Sequence, residues 1–183
     1  MSVPRLDPMP ADRPLTLRSA RTQDVPVIQA LVEPLARERV LLQKEAVAYY
    51  EAIQEFVVAE EADGTLAGFG ALHVMWQDIA EVRTLAVSEA HRGAGVGHLL
   101  IEELLDRARA VGVERVFCLT FEVEFFRRHG FEVMADQSAV DPEVYAELLR
   151  STDEGVAEFL DLARVKPNTL GNTRMIKQLD RSA

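Results

Sequence analysis

The sequence predicts an α/β fold with a mixed, mostly antiparallel sheet flanked by helices, and two observations carry this prediction. Apolar runs at 56–61 and 66–75 are joined by the turn sequence ADGT at 62–65, which is typical of a β-hairpin. Further on, a strand-like run, a glycine-rich stretch and a long amphipathic pattern follow one another, and a second apolar run comes after them. That order indicates one crossover between parallel strands through a helix.

The individual elements follow from their periodicity. Alternating or continuous apolar runs predict strands at 15–20, 56–61, 66–75, 80–87, 112–120, 131–134 and 173–179. Helical spacing predicts helices at 22–38, 44–54, from the glycines to Val111, at 122–130 and at 140–150, and another after 151–154. The long central helix should turn one apolar stripe inward, formed by Val96, Leu100, Leu104, Ala108 and Val111.

Two helix starts carry capping signals. Asp24 precedes the first helix and is expected to cap it, while Pro34 should disturb that helix further along. Ser151 and Glu154 have the spacing of a capping box, so Ser151 is the expected cap of the last helix.

Length and composition set the class of protein. The 183 residues are enough for one domain with a substantial core, and we expect residues 15–183 to form it. Residues 1–14 are proline-rich without an apolar core and are expected to be a disordered tail. Residues 135–172 read as a helical extension before the last strand. The net charge of −10 argues against nucleic-acid and anionic-membrane partners. A single cysteine favours a reducing, cytoplasmic location.

The glycine-rich stretch HRGAGVGHLL at 91–100 predicts an anion site. Free N–H groups at a helix N-terminus attract negative charge, and glycines let a phosphate approach the backbone closely. The pattern is not a dinucleotide-binding fingerprint or a Walker loop, because its strand belongs to an antiparallel meander and no Gly-Lys-Ser/Thr follows. The candidate phosphate-binding residues are Arg92, Gly93, Ala94, Gly95, Val96 and Gly97.

This stretch matches the R/Q-x-x-G-x-G/A motif of the GNAT acetyltransferases, which the chain resembles over roughly residues 15–134. The resemblance implies the GNAT fold and acetyl-CoA as co-substrate, with the pyrophosphate on the motif. It also implies a bulge in the preceding strand and a pantetheine arm along Leu85, Ala86 and Val87. Phe126 stands where many members have a proton-donating tyrosine, so it should pack against the CoA arm or the core and leave the general acid unassigned.

Several stretches are closer still to the amino-acid N-acetyltransferases of the N-acetylglutamate synthase type. These stretches are AEVRTLAVSEAHRGAGVGHLL, VFCLTFEVEFFRRHGF and TRMIKQL, and residues 153–175 resemble the short, stand-alone synthases of actinobacteria. This resemblance implies transfer of acetyl to the α-amine of glutamate, the first step of arginine biosynthesis. It implies a small-molecule amino-acid substrate and no metal, and it leaves a homodimer open.

Acetyl transfer to an amine needs a base. The resemblance to the synthases implies this role for Glu81, which matches a glutamate that acts as the base in them. The alternative is a solvated strand-end carboxylate paired with Arg83. Substrate carboxylates need cations, for which Arg174 and Lys177 are the first candidates, while Arg83 and Lys44 are weaker ones. Thr120 ends a strand and is expected either to hydrogen-bond substrate or to be an ordinary strand-end residue.

The remaining reactive side chains have simpler interpretations. Cys118 lies in mid-strand, where cysteine behaves as a small apolar residue, so it is not the expected nucleophile. His91 and His98 flank the glycines and are expected to be solvated surface residues, with contact to the phosphate as the alternative, and His73 and His129 form no metal pattern. Two other functions stay open: acetylation of glutamine or another small amine, and a silent acyl-CoA-binding domain.

Overall fold

The computed structural model describes residues 14–41, 44–134, 141–160 and 171–180. Residues 1–13 of the predicted tail, and parts of the predicted extension, lie outside the described residues. Seven strands form one sheet: β1 Thr16–Ser19, β2 Phe56–Glu60, β3 Leu66–Trp76, β4 Ile79–Val87, β5 Arg115–Thr120, β6 Glu132–Val133 and β7 Thr173–Gln178. The helices are α1 Val25–Arg37, α2 Ala46–Glu51, α3 Val96–Val111, α4 Val123–Arg128, α5 Pro142–Leu148 and α6 Glu154–Phe159.

The strand order is β1-β2-β3-β4-β5-β7-β6. Strands β4 and β5 are parallel and are joined by α3, whereas every other neighbouring pair in this sheet is antiparallel. The predicted mixed, mostly antiparallel α/β sheet is therefore confirmed. The last strand, β7, inserts between β5 and β6, so the chain returns to the middle of the sheet's second half.

Strand β4 carries an irregularity at the centre of the sheet. Phe69 of β3 pairs with Ala86, and Ala71 pairs with Arg83, so β4 has one residue more than its partner between these pairs. Thr84 lies in this bulge with a φ of 53°, in the left-handed region that β-branched residues avoid. Pairing of β4 with β5 extends only to Val82 and Cys118, and beyond that point the two strands separate. The bulge thus opens a gap between the two parallel strands.

Both faces of the sheet are covered by helices. The apolar side of α3 packs on one face, together with Phe126 of α4 and with Met175 of β7. On the opposite face, α1 and α2 cover the β2–β3 region, and α5 and α6 cover β5 and β7 as a separate cluster around Phe117 and Phe159. The extension therefore supplies a helical layer of its own on the second half of the sheet.

Four local predictions are corrected by the structure. Asp153, not Ser151, caps α6, because its Oδ1 accepts the N–H of Val156 at 3.1 Å, while the Ser151 hydroxyl accepts the N–H of Asp153. The Asp24 carboxylate precedes α1 but accepts from Arg18 and from the backbone N–H of Arg21 instead of capping the helix.

Pro34 lies inside a continuous α1 and does not end it. Val111 closes α3 with 60% of its surface exposed, so the inward stripe stops at Ala108.

Candidate active site

A cavity of about 850 Å³ follows the opening between β4 and β5. Its walls come from the second half of β4, the glycine loop with the first turn of α3, the end of β5, and α4. One end therefore meets the expected anion site. The other end reaches Glu81 and Arg83 of β4 and Gly155 of α6, and Asn172 before β7 also lines the cavity.

The glycine loop has the backbone form that a phosphate site requires. Gly93 and Gly95 have φ values of 80° and 81°, which glycine adopts without strain. Gly95 is the residue before α3, a helix of 16 residues. Within the described part of the chain, the N–H groups of Gly95, Val96 and Gly97 have no backbone acceptor. These donors, at the positive end of the helix dipole, can bind a pyrophosphate.

The predicted cofactor residues line this cavity with one exception. Leu85, Ala86, Val87, Arg92, Gly93, Gly95, Val96, Gly97 and Phe126 all line it. Ala94 does not, and its N–H donates back to the carbonyl of His91 at 3.2 Å. Phe126 is also packed edge-on against Phe131 in the core, so it serves both environments that the sequence leaves open.

Glu81 is a buried carboxylate on the cavity wall, with only 4% of its surface exposed. Its Oε2 lies 3.1 Å from Nε of Arg83. A Cβ added at Gly155 would clash with the same oxygen, so a larger residue there would displace α6 or the carboxylate. Burial raises the pKa of Glu81 above its usual value, and the positive charge of Arg83 opposes that rise. Glu81 is therefore not the solvated strand-end carboxylate of the alternative interpretation, although it does pair with Arg83.

Arg83 bridges two carboxylates from different parts of the chain. Its Nη1 donates to Oδ2 of Asp153 at 3.0 Å, while its Nε faces Glu81. The Arg83 side chain is largely buried, and it lines the cavity. Asp153 therefore joins the cap of α6 to the cation of the site, and the extension becomes part of the cavity wall.

Two other predicted substrate residues also line the cavity. Lys44 lies before α2, where its charge acts on the Glu81 carboxylate. Thr120 ends β5, and its hydroxyl accepts the N–H of Glu122 at 2.8 Å, so one of its lone pairs is engaged in the turn into α4.

Arg174 and Lys177, the first candidates for the substrate cations, do not line the cavity. Nη2 of Arg174 donates to the carbonyl of Phe159 at 2.9 Å, at the end of α6. Nζ of Lys177 donates to the carbonyl of His129 at 2.8 Å, just beyond α4. Cations near the C-terminal ends of helices satisfy free carbonyls there, so both side chains hold helices in place.

His91 differs from expectation, whereas His98 and Cys118 do not. His91 is buried and hydrogen-bonded instead of solvated. The exposed His98 contacts His129, with Nδ1 and Nε2 at 2.9 Å. Cys118 is buried, and burial raises the pKa of its thiol well above the usual value, which makes a thiolate nucleophile unfavourable. Among the described residues no group of three His, Cys, Asp or Glu side chains could hold a metal, and no helix could cross a membrane.

Sequence reasoning missed Asp153 and Gly155. Both belong to the STDEG stretch at 151–155, which signals a helix start and opens the segment that resembles the stand-alone synthases, but neither signal assigns these two residues to the site. Their distance in sequence from Glu81 and Arg83 hides the contact, because it depends on how the extension folds back onto β4.

Comparisons with known proteins agree with this geometry. The family model described as Acetyltransferase (GNAT) family matches residues 27–131. The chain is 52% identical over 169 residues to an amino-acid acetyltransferase of Mycobacterium tuberculosis, covering 91% of this chain and 96% of that protein.

Two solved structures are also similar. A M. tuberculosis protein in complex with CoA and NLQ superposes with a TM-score of 0.85 at 52% identity, covering 90% of this chain and 99% of that one. N-acetylglutamate synthase from Neisseria gonorrhoeae, complexed with coenzyme A and N-acetyl-glutamate, superposes with a TM-score of 0.74 at 26% identity. That match covers 93% of this chain and 36% of the synthase chain.

Proposed function

The chain belongs to the GNAT acetyltransferase family, and from that premise we propose that it transfers acetyl from acetyl-CoA to the α-amine of glutamate, the first step of arginine biosynthesis. The observation that carries the proposal is the continuous cavity. It runs from the N–H groups of the glycine loop to a buried carboxylate and a buried guanidinium. The first end suits a pyrophosphate and the second suits an acidic amino acid.

The co-substrate half rests on the glycine loop and β4. The N–H groups of Gly95, Val96 and Gly97 would bind the pyrophosphate, with Arg92 on the rim of the cavity. The pantetheine arm would follow the part of β4 that is not paired with β5, along Leu85, Ala86 and Val87. The thioester would then lie near the gap between these strands, towards Glu81.

The proton chemistry rests on Glu81. The α-amine must be neutral to attack the thioester carbonyl, so Glu81 accepts one of its protons, directly or through water. The new C–N bond forms, the C–S bond breaks, the nitrogen gives up its second proton to solvent, and the CoA thiolate leaves and takes a proton from solvent. A carboxylate with a raised pKa is a better base near neutral pH, and burial provides that rise. Phe126 cannot donate a proton to the thiolate.

Recognition of the acceptor rests on Arg83 and Lys44. They are the predicted substrate cations that line the cavity, and they supply local positive charge in a chain of net charge −10. Arg83 can offer its planar donors to a carboxylate, and its position is already held by Asp153. Thr120 can add a hydrogen bond. Arg174 and Lys177 act on the helix ends and not on the substrate.

An assay of CoA thiol release across a panel of amines tests the proposal. We expect turnover with glutamate, with kcat/KM above that for glutamine, aspartate and a polyamine, and no loss after treatment with a chelator, since the chemistry needs no metal. The product should be N-acetylglutamate by mass spectrometry. A preference for glutamine or a non-amino-acid amine would overturn the substrate assignment but keep the acetyltransferase. Binding of acetyl-CoA without turnover on any amine would indicate a silent binding domain.

A further inference from the structure

A buried hydrogen-bond network lies beside the glycine loop and takes no part in the chemistry proposed above. Nε2 of His91 lies 2.5 Å from Oε1 of Glu61, and Nδ1 lies 2.6 Å from the hydroxyl of Ser88. His91 and Glu61 are exposed by only 8% and 7%. Both ring nitrogens are thus engaged away from bulk water, where a lost partner is costly.

The network joins two parts of the chain that are far apart in sequence. Glu61 directly follows β2; its N–H donates to the carbonyl of Thr65 and its carbonyl accepts the N–H of Gly64, which closes the turn to β3. Ser88 directly follows β4, with its N–H on the carbonyl of Ala67 in β3. His91 therefore attaches the segment after β4 to the β2–β3 hairpin through its side chain.

The backbone of His91 acts on the glycine loop itself. Its N–H donates to the carbonyl of Ser88 at 3.0 Å, and its carbonyl accepts the N–H of Ala94 at 3.2 Å. The second bond closes the turn that contains Gly93 and leads directly to Gly95. A shift of His91 would move this turn, and with it the N–H groups that would meet the pyrophosphate.

We propose that His91 is a positioning residue, anchored by Glu61 and Ser88, that holds the glycine loop in its pyrophosphate-binding form before CoA arrives. This inference rests on the proposed use of acetyl-CoA. A loop already held in the bound form loses less conformational entropy on binding, so the benefit appears as affinity for CoA. The acetyl-transfer step and the acceptor end of the cavity do not depend on it.

Titration calorimetry with CoA and steady-state kinetics on the full chain test the proposal with His91→Phe and Glu61→Gln. Both changes keep approximate size: His91→Phe removes both hydrogen bonds of the ring, and Glu61→Gln replaces the charge-assisted bond with a weaker neutral one. We expect each to raise the Kd of CoA and the KM of acetyl-CoA about tenfold, which corresponds to ~1.4 kcal/mol. The kcat at saturation and the KM of the amine should change by less than about threefold, and the double variant should be no worse than the worse single one.

Glu60→Gln is the matched control. Glu60 is the neighbour of Glu61, and it binds Arg18 at 2.8 Å on the side of β1. Its loss disturbs the same hairpin end without touching His91, so the Kd of CoA should stay at the wild-type value.

Three results would overturn the proposal: unchanged CoA affinity in both test variants, equal weakening in Glu60→Gln, or weakening in His91→Phe with none in Glu61→Gln. The last would mean that the imidazole contacts CoA itself. Failure of the wild type to bind CoA would instead overturn the proposed function.

Discussion

Glu81 depends on two neighbours that the sequence places more than 70 positions away. Gly155 lets α6 pass over the carboxylate, and Asp153 holds the Arg83 guanidinium beside it. The base candidate itself follows from the family resemblance. Its burial does not, because burial is created by a helix of the extension.

Gly155→Ala should destabilise the protein, although the same change usually stabilises a helix. Replacing a helical glycine by alanine normally stabilises a helix by ~1 kcal/mol. Here the new Cβ would clash with Oε2 of Glu81, so α6 or the carboxylate must move. We expect a lower Tm by thermal denaturation and a kcat reduced at least about tenfold. A higher Tm with wild-type kcat would show that the contact is not part of the folded state.

Asp153→Asn should shift the pH dependence of catalysis. The negative charge of Asp153 raises the pKa of Glu81, whereas Arg83, Lys44 and His73 lower it. Without that charge the Arg83 fork can turn towards Glu81, so the acid limb of kcat/KM should move to lower pH. Asn keeps the preference for a helix cap, so α6 should still form.

Asp141→Asn is the control for this shift, because Asp141 caps α5 through the N–H of Glu143 and makes no ion pair with Arg83. An acid limb that stays in place in Asp153→Asn, with only Tm reduced, would mean that Asp153 has a purely structural role.

At the scale of elements, the strands and the central helix could be predicted because their patterns are local. The hairpin turn, the glycines before α3 and the apolar stripe on that helix are each encoded in one short, continuous stretch of sequence. The insertion of β7 between β5 and β6 could not be read this way, since it depends on how distant strands pair. The place of the Arg174 side chain, on β7, could not be predicted for the same reason. Its motif suggests substrate contact, whereas in the structure the side chain meets the end of α6.

Alanine variants of two glycines at opposite ends of α3 distinguish the loss of phosphate binding from the effect of backbone strain. Gly95 and Gly112 have φ values of 81° and 87°, and a Cβ at either would meet nothing within 4 Å. Alanine should cost a similar ~1–2 kcal/mol of stability at both positions. Only Gly95→Ala should also weaken CoA binding by calorimetry, because only Gly95 borders the cavity. Equal CoA affinity in the two variants would remove the glycine loop from the phosphate site.

At the scale of the whole molecule, the buried carboxylate at the acceptor end of the cavity lowers the free energy of unfolding when it is ionised. Burial raises the pKa of Glu81 in the folded chain above its value in the unfolded chain. The stability linked to the protonated form is therefore fully present below the unfolded pKa, and it is lost as pH rises through the folded pKa. An ionised Glu81 thus costs the protein stability in the pH range where the base must be ionised to act.

Glu81→Gln should remove this cost. The Tm of the variant relative to the wild type should be higher at pH 8 than at pH 5. Each kcal/mol in the free energy of unfolding corresponds to about 2–4 °C in Tm. Differential scanning calorimetry at both pH values measures the difference. If the Tm of the variant relative to the wild type is instead lower at pH 8 than at pH 5, the ion pair with Arg83 outweighs the cost of burying the Glu81 carboxylate.

The kcat of Glu81→Gln with saturating acetyl-CoA and glutamate measures directly whether this carboxylate is the base. General-base catalysis contributes ~10²–10⁴-fold, so kcat should fall by that factor. The Kd of CoA by calorimetry should be unchanged, since the glycine loop is distant in the cavity from the carboxylate. A variant that keeps wild-type kcat across neutral pH, with glutamate as acceptor, would contradict the account and remove Glu81 from the mechanism.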